Sequence, residues 1–133
     1  MSGETNLDQL IASMEPVVAP ETYVFCTVTD LEALATVRPR MLFEEEEGLT
    51  LIVEKDQAVA AGLAFEFECR MITLNIHSSL EAVGFLAAIT PELAALGMGV
   101  NPVSAFYHDH LFVPADRVIE AVHSLKSMSQ KRA

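Results

Sequence analysis

The strongest constraint on the fold is a change of hydrophobic period near the middle of the chain. Apolar and polar residues alternate from Met71 to His77, which predicts a strand with one face in the core. From Leu80 to Leu96 apolar residues recur at steps of three and four, which predicts the longest helix of the chain. Ser78 or Ser79 is expected to cap it. The second half must therefore pack a helix against a sheet.

The rest of the second half continues this plan. Pro91 falls inside the predicted helix, which either bends there or divides into two short helices. Val100–Tyr107 and Leu111–Val113 are predicted to form a hairpin, with residues 108–110 at its tip. After Pro114 the apolar spacing predicts a final helix. The order strand, helix, strand, strand, helix is typical of a ferredoxin-like module that lacks its closing strand.

The first half is predicted to be a shortened copy of the same plan, preceded by a short helix. A glycine after polar residues favours a hairpin turn between its second and third strands, and an edge strand from this half could complete the sheet of the second half. The predicted elements are a helix at 7–14, strands at 22–29, 41–46 and 49–54, and short helices at 30–37 and 55–61, the last closed by Gly62.

Composition supports this α+β interpretation. With 133 residues the chain has room for one ordinary domain or two very small, closely joined ones. A hydrophobic share of 51% against 20% charged residues is globular and unlike a disordered chain. We therefore expect antiparallel sheets with helices on one face.

Charge and cysteine usage exclude several functions. A formal charge of −11 argues against nucleic acid as a partner, because the chain would repel a phosphate backbone. Neither a membrane-spanning stretch nor a signal sequence is predicted, so no membrane partner is expected and the expected compartment is the cytoplasm. Cys26 and Cys69 stand far apart beside apolar or aromatic neighbours, which favours two buried thiols.

Four separated segments resemble, in order and spacing, the signature segments of a family of small bacterial ACT-like proteins of unknown function. The resemblance covers nearly the whole chain and implies two tandem ACT-like modules, at residues 1–68 with the leading helix and at 69–133. The four segments are Tyr23–Val28, Gly48–Val53, His77–Gly84 and Tyr107–Pro114.

The resemblance also implies a function. ACT domains generally bind amino acids or similar small effectors at module interfaces, through the loop after the first strand and the start of the first helix. By it we expect an amino-acid-like effector, a regulatory role and a homo-oligomer, a dimer in the simplest case. Glu44 replaces a basic residue expected in this family. The implied ligand-binding residues are His77, Ser78, Ser79, Leu80, Glu81, Val83 and Gly84, with Asp109 at the later hairpin.

Part of the prediction of a binding site follows from the residues themselves, without the resemblance to the family. Free amide groups at a helix start, two hydroxyls and the helix dipole favour a carboxylate or phosphate near Ser78 and Ser79. Helix capping alone also explains both serines. Gly84 either lets a ligand or a neighbouring helix approach closely or serves packing only.

Metal binding and catalysis have weaker signals. His108 and His110 lie two apart with Asp109 between them, and a metal would need a third ligand such as His77. A polar hairpin tip or a wall of the effector pocket is the alternative. The four glutamates from Glu44 to Glu47 fit a solvated turn better than a cation site. No catalytic motif and no cofactor are predicted, which leaves a protein-interaction module or a metal-dependent enzyme as alternatives to the effector-binding protein.

Overall fold

The computed structural model describes residues 6–76 and 82–132. Within those ranges the chain forms a six-stranded sheet and four α-helices, with short 3-10 helices at Leu31–Ala35 and Ala115–Arg117. The helices are α1 Leu7–Ser13, α2 Lys55–Ala60, α3 Phe85–Ala94 and α4 Val118–Arg132; the strands are β1 Pro16–Val28, β2 Met41–Glu45, β3 Gly48–Glu54, β4 Glu66–Leu74, β5 Asn101–Ser104 and β6 Asp109–Pro114.

Hydrogen bonding orders the strands β2-β3-β1-β4-β6-β5. Contacts between residues group the chain into two compact units. The 20–69 unit is continuous, and the 70–132 unit also includes residues 6–19. The division into modules at residues 1–68 and 69–133 therefore stays a prediction. Helix α1, which was predicted to lead the first module, makes its contacts within the 70–132 unit.

The 20–69 unit has the order strand, helix, strand, strand, helix, strand. Its strands pair in the order β2-β3-β1-β4, and β3 is antiparallel to both β2 and β1. The first helix is only a 3-10 turn capped by Asp30. Helix α2 ends at Ala60, and Gly62 just beyond its C-cap has a φ of +69°, which suits that position. The core of this unit comprises Val24, Cys26, Val37, Leu51, Val53 and Ala58.

In the 70–132 unit the strand after the last helix is supplied from elsewhere in the chain. As expected from the sequence, no closing strand follows α4 within the described residues, and the start of β1, from the first half of the chain, neighbours β4 instead. The Asn75 amide donates to the Glu15 carbonyl at 2.8 Å, and Arg70 Nη2 donates to the Ala19 carbonyl at 2.7 Å. Each unit therefore has a complete ferredoxin-like set of four strands, and the α+β prediction is confirmed.

Helices α1, α3 and α4 cover the core of the 70–132 unit. The Ser129 hydroxyl donates to the Ala12 carbonyl at 2.8 Å, which fixes the end of α1 to α4. Buried apolar side chains from all three helices and from β4 and β6 meet in this core, which includes Leu10, Ile11, Ile72, Leu74, Phe85, Ile89, Leu93, Leu111, Val113 and Leu125.

Three predictions about the helix after β4 were wrong: its start, its cap and its rank as the longest helix. The helix predicted from Leu80 to Leu96 is α3, which begins only at Phe85, because Gly84 has a φ of +88° that ends helical geometry on its N-terminal side. Gly84 is the N-cap, so neither serine caps α3. The longest α-helix of the described ranges is α4, with 15 residues against 10 for α3. Pro91 lies inside one continuous helix, which excludes the pair of short helices.

The hairpin prediction was also wrong in its register. Asp109 pairs with Ser104, and the Ala105 amide donates to the His108 carbonyl at 3.0 Å, so the turn lies at residues 105–108. Phe106 and Tyr107 were predicted in a strand because they are apolar and aromatic. Both are instead exposed in the turn, with their rings edge to face at 4.9 Å. Asp109 and His110 consequently belong to β6 and not to the tip.

The two cysteines are free and buried, as predicted from their neighbours. Cys69 Sγ lies 3.3 Å from the Tyr23 carbonyl as a hydrogen-bond donor, and burial raises the pKa of the Cys69 thiol to about 12. Because the thiolate is the reactive form, we expect native Cys69 to resist iodoacetamide at pH 8. Peptide mass spectrometry measures this, with denatured protein as the positive control. Modification of the native thiol as fast as of the denatured one would contradict the prediction.

The raised pKa of the Cys69 thiol also affects the stability of the fold. The folded pKa lies above the ordinary value of 9.0, so the unfolded chain loses the Cys69 proton first as the pH rises. This thiol therefore lowers the free energy of unfolding as the pH climbs from 9.0 towards about 12 and has no such effect below that window.

Candidate functional site

Most of the predicted ligand-binding segment lies outside the described residues. This part comprises His77, Ser78, Ser79, Leu80 and Glu81, and it begins three residues after Leu74, the last residue of β4. The structure does describe the residues on both sides, Ile76 before the segment and Val83 and Gly84 after it.

Val83 and Gly84 form the approach to α3. The Val83 side chain is 84% exposed and is therefore available to a ligand. A Cβ built on Gly84 would lie 3.7 Å from Leu7 Cδ2, which is ordinary contact, so space alone does not require glycine here. The φ of +88° does require it. Gly84 is thus a turn residue next to α1, and a close ligand approach is not needed to explain it.

At the start of α3, neither a capping side chain nor an acidic residue compensates the positive end of the helix dipole. Gly84 has no side chain to cap the helix, and the first turn contains no acidic residue. The first amide groups of a helix have no partners within the helix, and the helix dipole favours negative charge beside them. The described part of this helix start is therefore compatible with an anionic group.

Asp109 is buried, with only 8% of its surface exposed. Ser104 Oγ, on the paired strand β5, donates to Asp109 Oδ1 at 2.5 Å. The carboxylate therefore holds the hairpin together at its first residue pair. From the sequence we expected Asp109 to accept a hydrogen bond from a backbone donor or a ligand. The donor that the structure describes is instead the Ser104 hydroxyl.

His108 and His110 connect the hairpin to β4. The Ile76 carbonyl can only accept, so His108 Nδ1 donates to it at 3.2 Å. His110 Nδ1 lies 2.9 Å from Thr73 Oγ1, in a hydrogen bond whose direction depends on the imidazole tautomer. These bonds bring the start of β6 beside the end of β4, where the predicted segment begins.

A shared metal finds no support in this geometry. The rings of His108 and His110 have centroids 6.5 Å apart. The Nδ1 of His110 is engaged with Thr73 in β4, and that of His108 with Ile76 just beyond β4. Among the described residues no group of three or more histidine, cysteine, aspartate or glutamate side chains is placed to hold a metal ion.

The 20–69 unit also contains a polar cavity that was not predicted from the sequence. It has a volume of about 350 Å³. The only local signal is the Arg-Pro-Arg order at 38–40, because the other lining residues come from β1, β3 and α2. The lining residues are Tyr23, Arg38, Pro39, Arg40, Glu54 and Gln57.

The fold first defines a class: an α+β chain with two ferredoxin-like modules. Comparison with protein families then identifies the family. One ACT domain description matches residues 2–70 and a second matches residues 66–127. The chain therefore belongs to the ACT domain family and carries two ACT domains in tandem. ACT domains are commonly regulatory modules that bind amino acids.

Solved structures agree with this assignment. A Vibrio cholerae protein of unknown function, described as a possible transport protein, is 39% identical, with a TM-score of 0.84 over 92% of this chain and 95% of that one. An Agrobacterium tumefaciens protein is 15% identical, with a TM-score of 0.74 over 87% and 89%. The ligand-free regulatory subunit of Thermus thermophilus aspartate kinase is 11% identical, with a TM-score of 0.68 over 87% and 96%. The last two share the fold alone.

No curated protein matches the chain. Within residues 6–76 and 82–132 every helix is too short or too polar to cross a membrane.

Proposed function

We propose that this chain is a regulatory ACT protein, without catalytic activity of its own, that binds a small amino-acid-like effector. The effector is held in the second module, by the segment between its first strand and first helix together with the later hairpin. Its binding residues are His77, Ser78, Ser79, Leu80, Glu81, Val83, Gly84 and Asp109.

The bond from His108 to the Ile76 carbonyl is the observation that carries the proposal. It holds His108, the residue immediately before β6, beside the last described residue before the segment. Asp109 follows His108 in the chain, so a carboxylate lies near the strand end where ACT domains take their effectors. The resemblance assigned an acidic residue to this hairpin, and the tertiary structure supports its nearness to β4.

The electrostatics suit the two charged groups of an amino acid. The start of α3 has no acidic residue in its first turn and favours a carboxylate. Asp109, buried at the hairpin, offers its negative charge to an ammonium group. The effector would lie with its carboxylate towards α3 and its ammonium towards β6.

A thermal-denaturation screen of the full chain against the twenty amino acids tests this function. A ligand at a hundred times its dissociation constant adds about 2.7 kcal/mol to the free energy of unfolding, so a true effector raises the melting temperature clearly. If no amino acid does so, the assignment of an amino-acid effector is wrong.

Asp109→Asn and Ser104→Ala together separate a ligand contact from a structural one. The asparagine keeps the shape and an acceptor for Ser104 but loses the charge, whereas Ser104→Ala removes the same hydrogen bond and keeps the charge. We expect effector affinity to fall about tenfold or more in Asp109→Asn, the usual size for a bond to a charged group. Ser104→Ala should retain the affinity. Equal affinities in the two variants, with Ser79→Ala also unchanged, would contradict the site.

Two further points belong to the proposal. The tendency of ACT domains to oligomerise supports a homodimer as the working form. The unpaired, buried thiols of Cys26 and Cys69 support a reducing compartment such as the cytoplasm.

A further inference from the structure

The polar cavity of the 20–69 unit is separate in sequence and contacts from the proposed effector site. It is formed by the end of the loop before β2, the end of β3, the first turn of α2 and one side chain of β1. Its volume of about 350 Å³ falls at the lower end of the range found for small-molecule sites.

Tyr23 fixes one wall of this cavity. Its side chain is 2% exposed, and its hydroxyl oxygen accepts from Arg40 Nε at 3.2 Å and from Arg40 Nη2 at 2.8 Å. The guanidinium carbon lies 5.6 Å from the centre of the phenol ring. Burial raises the pKa of Tyr23 despite the opposing effect of Arg40, so the phenol is neutral at neutral pH. It therefore orients the guanidinium without neutralising its charge.

Gln57 and Glu54 line another part of the cavity. The Arg38 backbone amide donates to Gln57 Oε1 at 2.7 Å, which turns the amide nitrogen of this side chain towards Glu54. Gln57 Nε2 then donates to Glu54 Oε2 at 2.8 Å. The side chain of Gln57 is thereby fixed at both ends, and Glu54 Oε1 is the oxygen that this bond leaves for another donor.

The charges in the cavity differ from those of the chain as a whole. The sequence has 8 basic against 19 acidic residues, yet Arg38 and Arg40 meet in this one cavity with a single carboxylate. Within residues 6–76 and 82–132 the ion pairs involve Lys55, Arg117 and Arg132, and neither cavity arginine takes part. Arg38 and Arg40, neither of which has an ion pair among the described residues, thus line a concave, solvent-accessible site whose charged residues sum to +1.

We propose that this cavity binds a small monocarboxylate whose other end carries a hydrogen-bond donor. Guanidinium groups bind carboxylates through paired N–H donors in a planar fork. Glu54 Oε1 accepts from the donor at the far end of the ligand. The same carboxylate disfavours a dianion, because its negative charge opposes the second charge of the ligand.

A nitrogen-15 NMR titration of the full chain with sodium L-lactate tests the proposal, since lactate has one carboxylate and one hydroxyl donor. We expect saturable shifts of the Arg38, Arg40 and Gln57 amide signals. Arg38→Gln should weaken lactate binding about tenfold, the effect of losing a bond to a charged group. The Arg38 side chain is exposed and its structural bond uses the backbone, so this variant should fold.

Three comparisons sharpen the result. Lys126→Gln removes one positive charge from an exposed position outside the cavity and should leave lactate affinity unchanged. Acetate, which lacks the donor, should bind more weakly than lactate, and Glu54→Gln should abolish this difference. Inorganic phosphate should also bind more weakly than lactate.

The proposal is overturned if lactate shifts do not saturate, or if Arg38→Gln binds lactate as the unchanged chain does. Equal affinity for phosphate would overturn the assignment to monocarboxylates. None of these results depends on an effector at residues 77–84, so this site and the proposed function fail separately.

Discussion

Ile11→Ala is expected to lower the free energy of unfolding by about 2–5 kcal/mol, the usual cost of a large cavity in a close-packed core. Ile11 is fully buried among residues of α1, α3 and α4. The leading helix has only seven residues and is too short to be stable alone, so it is held by this contact. Urea denaturation followed by circular dichroism measures the loss.

Ile119→Ala is the matched control, because it removes the same atoms from a helix of the same unit. Ile119 lies on α4 with 84% of its surface exposed, and its replacement should change stability by no more than about 0.5 kcal/mol. If Ile11→Ala and Ile119→Ala have the same stability, α1 is not part of the core. The expected difference would place α1 in the same folding unit as α4.

Gly48→Ala is the second change with a large expected effect. A Cβ at this position would lie 2.8 Å from the Val28 carbonyl oxygen and 3.0 Å from Thr27 Oγ1, and the φ of +154° disfavours a side chain in any case. Overpacking and backbone strain each cost about 1–3 kcal/mol, and the backbone oxygen cannot turn away as a flexible side chain would. We expect the hairpin of β2 and β3 to be distorted and the melting temperature to fall.

Two other glycines separate the clash from the backbone strain. Gly62 has a φ of +69° with nothing within 4 Å of an added Cβ, so Gly62→Ala should cost only the strain, about 1 kcal/mol. Gly99 has open space and no positive φ, and Gly99→Ala should be neutral or slightly stabilising. Equal melting temperatures for the Gly48 and Gly99 variants would contradict the close approach of β1.

The two candidate sites differ in how much of each could be predicted from the sequence. The family resemblance named Asp109 and seven residues of the segment 77–84, whereas the strand pattern of the sequence placed Asp109 at a hairpin tip. In the structure Asp109 is paired with Ser104 inside the hairpin. The error arose because Phe106 and Tyr107 have strand-like composition, whereas their exposure in the turn depends on tertiary contacts.

The arginine cavity was beyond sequence reasoning for a different reason. Its lining residues come from three separated segments, and only tertiary structure brings them together. Tyr23 pairs with Glu54 across β1 and β3, which sets one polar side chain beside another from 31 positions later in the chain. No spacing in the sequence signals such a pair.

Local periodicity by itself determined the class of fold, the order of most elements and the buried thiols, because side-chain alternation and helix spacing depend on neighbours in the chain. Tertiary structure alone decided that β1 closes the sheet of the 70–132 unit, that Gly84 begins α3, and that Phe67 takes a φ of +60° against the ring of Phe25. These outcomes depend on pairing between distant segments, whose free energy outweighs local preference and leaves no local pattern to detect.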